Sequence, residues 1–342
     1  MNLYVHFPFC RRKCSYCALY SRTGVSQSER DAYVRRLASE IARTRDERRE
    51  TLKTIYFGGG SPALCDLSVL APVLRPLCGE DTEFTVELHP LDVTPGKLAQ
   101  LKDLGVNRIS MGVQSLNDAV LADMGRGYTI DEAERAFALV KDWFDNAGID
   151  LIVGYPGEDE SKSGVEVEQW REKIFSLNGW GLKHCSVYSL QNERGLKNVP
   201  DDDIVLDRIR HFAKCLESMG LERYEISNYA VPGYECRHNL AVWRGEDYVG
   251  LGEGACGRIG LRRISNLRSQ ISESEVSLEE DRKERTIFRL RTREGLDASG
   301  HPEWERVLQK YVQEGLLTRG GLIYRLTERG MEVCDSILAD LV

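Results

Sequence analysis

From residue 3 to about residue 220, short apolar and β-branched runs alternate with longer stretches whose apolar positions recur every three to four residues. The first kind of run suits a buried strand and the second an amphipathic helix. The pattern predicts six strands, Leu3–Phe7, Thr54–Phe57, Glu83–Leu88, Arg108–Met111, Asp150–Gly154 and His184–Leu190. Between the first two, Ser28 with Asp31 reads as a capping box, and Tyr33, Leu37 and Ile41 share one face of the helix that follows. A later helix carries Val205, Ile209, Phe212, Leu216 and Met219 on one stripe, with Gly220 as its left-handed stop. Six such units place the chain in the α/β class, as either an open doubly wound sheet or an incomplete barrel. In both, ligands gather at the carboxyl ends of the strands.

After Gly220 the alternation stops, which predicts a boundary between a core over 1–220 and a C-terminal α+β region over 221–342. Glu222–Tyr229 leads into a loop-rich stretch with Pro232, Gly233 and many glycines from Gly245 to Gly260. From Trp304 the pattern gives a helix, a turn at Gly320–Gly321, a strand Leu322–Leu326 and a final helix Gly330–Leu341, a winged-helix-like unit within 285–342. Such units often bind DNA. Here Arg306, Lys310, Arg319, Arg325 and Arg329 are outnumbered by Glu303, Glu305, Glu314, Glu328, Glu332, Asp335 and Asp340, so no nucleic-acid partner is expected.

Composition narrows the classes further. The chain has 342 residues, 42% hydrophobic and 29% charged, with a formal net charge of −8. That balance suits a soluble globular protein and argues against a phosphate-binding surface. The basic stretch Arg43–Lys53 is interrupted by Asp46, Glu47 and Glu50, as on a solvated helix face. Leu3–Phe9 is too short for a signal-peptide core and no later run is long enough to cross a membrane. The expectation is a cytoplasmic protein without a membrane span, with peripheral membrane association left open. Seven of the ten cysteines are irregularly spaced and read as reduced, mostly buried thiols.

The other three, Cys10, Cys14 and Cys17, stand in YVHFPFCRRKCSYC just past the first strand. In this C-x3-C-x2-C spacing each thiolate can take one iron of a [4Fe-4S] cubane, leaving the fourth iron open to a ligand. An odd local group of three cannot pair internally as disulfides. Gly58–Gly60 with Ser61 and Pro62 follow the second strand. Glycines there let the backbone approach an amino-acid ligand closely and present amides to it. Glu87 ends strand three, Gln114 follows strand four and Asp150 begins strand five, an ordered set that predicts one shared pocket.

These segments resemble the radical S-adenosylmethionine superfamily, and within it the HemN/HemW group. The likeness runs through YVHFPFC at 4–10, YFGGGSP at 56–62, VELHP at 86–90, RISMGVQSLN at 108–117, GIDLIVGYPGE at 148–158, YEISNYAVPGYECRHN at 224–239, RTREG at 291–295 and YRLTERG at 324–330. It implies an incomplete (β/α)6 barrel and a [4Fe-4S] cluster on Cys10, Cys14 and Cys17. The open iron would bind S-adenosylmethionine for reductive cleavage to methionine and a 5′-deoxyadenosyl radical. Carried over by position, Tyr4, Gly59, Gly60, Ser61, Glu87, Gln114, Arg126 and Asp150 are the expected cofactor contacts. Arg126 would fork onto a carboxylate, and Glu87 or Asp150 would accept from ribose hydroxyls or an ammonium.

Within the group the choice lies between a haem chaperone and an oxygen-independent coproporphyrinogen III oxidase or another radical enzyme acting on a tetrapyrrole. Oxidase-like members carry a fourth cysteine two positions after the third, where this chain has Ala18 and Leu19 after Cys17. They also have a sizeable segment ahead of the cluster strand, whereas Tyr4 here follows only three residues. Cys236–Trp243 resembles the H-N-x-x-Y-W haem element of chaperone-like members, matching at His238, Asn239 and Trp243 and departing at Val242. The resemblance thus implies haem as cargo, with His238 as an axial ligand on the 224–243 loop. It also implies haem-acceptor proteins and an electron donor of the flavodoxin or ferredoxin type. A nucleic-acid-modifying radical enzyme ranks far behind on charge.

Overall fold

A computed structural model of the chain describes residues 1–48, 51–158, 172–267 and 270–341. All six predicted strands are present: β1 Asn2–Phe7, β2 Leu52–Gly59, β3 Cys78–Leu88, β4 Arg108–Gln114, β5 Asn146–Val153 and β6 His184–Ser189. Each pairs in parallel with the next, in chain order and without reversal. A doubly wound sheet would turn back at its middle, so this order is that of an incomplete barrel. Apolar side chains of β1–β6 pack against the covering helices, Gln27–Arg48 and Pro95–Leu104 among them, to form the main core. The opposite side chains, including Tyr4, Tyr56, Glu87, Ser110 and Asp150, are polar and turn inward.

Three expectations need correction. The first helix opens two residues earlier than the Ser28/Asp31 box. Ser26 accepts from the Glu29 amide at 3.3 Å, and the Glu29 carboxylate accepts from the Ser26 amide at 3.0 Å. Second, the sheet does not stop near residue 220. β7 Glu222–Arg223 and β8 Asn228–Ala230 extend it beyond β6, while β9 Tyr248–Leu251 pairs in parallel with β1 and leads into β10 Cys256–Ile259, β11 Arg262–Leu267 and β12 Gln270–Glu275. These strands are short and rich in Gly, Asn and Arg. They are strands because the open edges of β1 and β6 need hydrogen-bond partners, a demand that no local pattern reveals. Third, the last helix is broken at Val333 into Glu328–Glu332 and Cys334–Ala339.

The C-terminal unit has a core of its own, including Leu290, Leu296, Trp304, Leu308, Tyr324 and Ile337. It contains a three-stranded antiparallel sheet ordered Leu296–Asp297, Ile323–Leu326, Leu317–Gly320. Within the basic stretch Arg43–Lys53, the side chains of Arg45, Arg48 and Arg49 lie outside the described residues. Lys53 pairs with Glu246 at 3.0 Å. No helix among the described residues is long and apolar enough to cross a membrane.

Candidate cofactor site

The loop after β1 carries Cys10, Cys14 and Cys17, all free and half-buried. It is held at both ends. The Cys10 amide donates to Arg22 O at 3.0 Å, and Ser15 donates through its amide to Met124 O at 3.2 Å and shares a 2.7 Å hydroxyl contact with Tyr155. Tyr155 in turn donates to Asp123 at 2.6 Å. Burial pushes the Cys10 thiol above its usual range, with Ser21 partly opposing it. Among the described residues no three His, Cys, Asp or Glu side chains are close enough to grip a single metal ion. A cubane asks for something else, because each thiolate takes a different iron and the sulfurs stand apart.

All three cysteines line one cavity of 1460 Å³ at the carboxyl ends of the strands. Gly59, Gly60, Ser61, Glu87, Gln114, Arg126 and Asp150 line it too. Tyr4 does not. It points into the barrel, where its hydroxyl meets His6 Nδ1 at 3.0 Å and its ring stacks on Tyr56. Asp150 stands midway along β5 rather than at its start, because the strand begins four residues earlier, at Asn146.

The glycine turn does its work differently from the expectation. The Gly60 amide donates to Phe7 O at 2.8 Å and the Ser61 amide to Phe9 O at 2.7 Å, so both brace the cysteine loop. The Gly59 amide donates to Glu87 at 3.1 Å. These amides are therefore engaged by the protein and not presented to a ligand. The glycines are required by crowding: a Cβ on Gly59, at φ +102°, would stand 2.4 Å from the His6 ring, and one on Gly60 would stand 2.5 Å from Phe9 O.

The charged groups of the cavity are unevenly matched. Arg126 is 9% exposed and makes no ion pair among the described residues. It donates to Gly112 O at 2.6 Å and to the Tyr128 hydroxyl at 3.0 Å, and one guanidinium nitrogen lies 3.5 Å from Cys14 Sγ. A cation held this way lacks an anion, which a thiolate-ligated cluster or a ligand carboxylate would supply. Glu87 is pushed up to about 7 by burial and by Asp150, although Tyr56 donates to it at 2.8 Å. Asp150 is raised as well, by burial above all, with Ser110 donating to it at 3.0 Å. These two carboxylates can accept from hydroxyls or an ammonium. Gln114 is held at φ +74°, a strained backbone for a non-glycine residue, at a bulge between β4 and β5.

Sequence reasoning missed Asp92, whose buried carboxylate takes Arg11 at 2.8 Å and the Ser61 hydroxyl and so joins the cysteine loop to the glycine turn. It also missed Tyr56, Ser110 and Tyr128, which hold Glu87, Asp150 and Arg126. Strand alternation could have placed Tyr56 and Ser110 inward. Nothing local marks Asp92.

The expected haem trio is not assembled. His238 lies on the helix Arg237–Trp243, not in a loop, and is 4% exposed. Its Nδ1 meets Thr54 Oγ1 at 2.8 Å, and its ring packs on Tyr56 at 5.1 Å and near Tyr4 and Tyr248. It closes the amino-terminal end of the barrel, opposite the cysteines. Burial, and secondarily Arg108, holds it down to about 4. Trp243 faces elsewhere, against Phe288 at 5.8 Å and under the Arg291 guanidinium. Asn239 is half-buried between them in sequence. Five residues along a helix turn two side chains well apart, and His238 and Trp243 here pack against different neighbours.

Comparison with known proteins gives a consistent picture. Residues 4–163 match the family described as the radical SAM superfamily. The chain is 32% identical to the heme chaperone HemW of Lactococcus lactis, over 98% of this chain and 96% of that protein. It is 29% identical to HemW of Bacillus subtilis, over 99% and 100%. Among solved structures, coproporphyrinogen III oxidase (HemN) of Escherichia coli superposes with a TM-score of 0.81 at 21% identity, covering 99% of this chain and 89% of the other. That likeness concerns the fold.

Proposed function

The chain belongs to the radical S-adenosylmethionine superfamily, in its HemW/HemN group, and from that membership we propose that it is a haem carrier. It would hold a [4Fe-4S] cluster on Cys10, Cys14 and Cys17, bind S-adenosylmethionine beside it, and pass haem to acceptor proteins. When bound, the cluster supplies the electron for reductive cleavage of the sulfonium. The protein's own part is positional. Arg126 balances negative charge next to Cys14, Glu87 and Asp150 accept from the ligand's polar hydrogens, and the braced loop fixes the thiols relative to both.

One observation carries the cofactor reading: a buried guanidinium, with no ion-paired carboxylate among the described residues, lies beside a cysteine sulfur in the cavity that all three thiols share. The cargo reading is supported by the near full-length likeness to proteins named heme chaperones and by Ala18 and Leu19 where a fourth cysteine would stand. The expected role of His238 as axial ligand would require the helix Arg237–Trp243 to lift from the barrel base.

The test uses protein reconstituted anaerobically with iron and sulfide. It is expected to show cluster absorbance that Cys14→Ser abolishes, a Soret band on haem addition, and haem transfer to an apo-protein acceptor. Conversion of coproporphyrinogen III to protoporphyrinogen IX under reducing conditions with S-adenosylmethionine would replace the carrier by an enzyme.

A further inference from the structure

The outer strand of a sheet presents amides and carbonyls that can pair with a further strand, and proteins usually blunt or cover such an edge. The twelve-stranded sheet ends in β7 on one side and β12 on the other. β7 is closed off: it is two residues long, and its Arg223 pairs with Glu328 of the C-terminal unit at 3.3 Å. β12 is left open among the described residues. It is six residues long, QISESE, and exposed at every position. Its pairing with β11 runs without a bulge from Arg262 opposite Glu275 to Leu267 opposite Gln270, and it holds neither proline nor lysine.

The pleat sorts the side chains of this edge, because successive residues of a strand point to opposite faces. Ile271, Glu273 and Glu275 share one face, and Ile271 is 67% exposed. Gln270, Ser272 and Ser274 share the other. On that second side Arg263, opposite Ser274, reaches Asp281 of the helix Leu278–Leu290 at 2.8 Å. On the first, Arg262 lies 3.9 Å from Glu273 and offsets part of the acidic charge. Position adds to this. β9 runs parallel to β1 and the next three strands alternate in direction, so Leu267 and Gln270 stand at the carboxyl end of β1, the side of the cysteine loop. Asn266 donates to Ala255 O at 2.9 Å, and nearby Glu253 accepts from the Tyr20 hydroxyl, just past Cys17, at 3.2 Å.

We propose that β12 receives an extended basic segment of a partner protein as one more antiparallel strand, on the side of the molecule that carries the cysteine loop. Such a segment reads basic–x–basic–x–apolar, with its basic side chains opposite Glu275 and Glu273 and its apolar one opposite Ile271. A second copy of this chain is a poor occupant. Pairing β12 with itself gathers Glu273 and Glu275 of both copies in one short ladder, where like charges are destabilising. The docking edge is independent of the haem reading and of the cofactor site.

The test titrates the full chain into a fluorescently labelled peptide that alternates lysine with threonine and ends in valine, followed by anisotropy. Wild type is expected to bind it, and Glu273→Lys combined with Glu275→Lys to weaken binding about tenfold or more. Both positions are exposed, and thermal melts will show that the variant folds. Two further peptides of the same charge carry N-methyl groups on alternate backbone amides, one set for each edge of the added strand. One is expected to lose binding and the other to keep it, since only one edge faces β12. Equal binding of both methylated peptides would reduce the contact to charge attraction and overturn the proposal, as would absence of binding to wild type. A dimer of the chain in sedimentation that the double charge reversal dissociates would assign the edge to a second copy instead.

Discussion

Arg126 shows how a residue acquires meaning from its neighbours. In the sequence it stands in MGRGY with nothing to mark it, and only family likeness singles it out. The fold buries it against Gly112 O, Tyr128 and Cys14, with no ion pair among the described residues. Hydrogen bonds to charged groups contribute about 1.5–3 kcal/mol. Arg126→Met is therefore expected to weaken S-adenosylmethionine binding by roughly ten- to a hundredfold in equilibrium dialysis with reconstituted protein. Arg126→Lys should restore only part, since one ammonium cannot serve Gly112, Tyr128 and a ligand carboxylate together. Equal affinity in the Met variant would remove Arg126 from the site. The cysteines differ in kind: their spacing within eight residues is local, and so was legible.

At the level of elements, β1–β6 were readable because buried parallel strands are continuous apolar runs and their helices have clear periodicity. The glycine turn was found in the sequence, but its task was not. Its amides brace the cysteine loop, and that depends on β1 lying beside β2 in a register that puts Phe7 opposite Gly59. Gly60→Ala tests this. A Cβ there meets the backbone oxygens of Phe9 and Phe7, neither of which can move without displacing Cys10. The variant should keep its helical circular dichroism and lose most of its iron after reconstitution. Full iron content would show that the loop is positioned by other contacts.

Across the whole molecule, residues 222–267 and 270–275 tie the C-terminal half to the barrel, and His238 is the plug of that joint. Its amide and that of Arg237 donate to Glu83 at 3.0 and 2.9 Å, so one carboxylate from β3 caps the helix. Held near 4 in the fold against a usual 6.5, His238 stays neutral while the unfolded chain takes up a proton. Its contribution is complete above pH 6.5 and is lost as pH falls toward 4, on the order of 3 kcal/mol. Glu87 acts in the opposite sense. Raised from 4.5 to about 7, it favours the fold at low pH, and that share disappears as pH rises between those values. The difference between wild type and His238→Gln in urea unfolding isolates the histidine. It should grow as pH rises from 4 to 6.5, and a flat difference would show that the imidazole is not buried neutral.

The sequence by itself determined the α/β class, the six parallel strands, the cysteine trio and the order of polar residues past the strand ends. Each is written in runs of a few neighbouring residues, where side-chain period and ligand spacing act directly. Tertiary structure alone decided that 222–267 and 270–275 extend the sheet, that Asp92 links the cysteine loop to the glycine turn, that Tyr4 and His238 do not line the cavity, and that Arg126 forms no ion pair among the described residues. These facts depend on which side chains meet across tens or hundreds of residues. Burial, pairing and exposure are properties of that meeting and have no local signature.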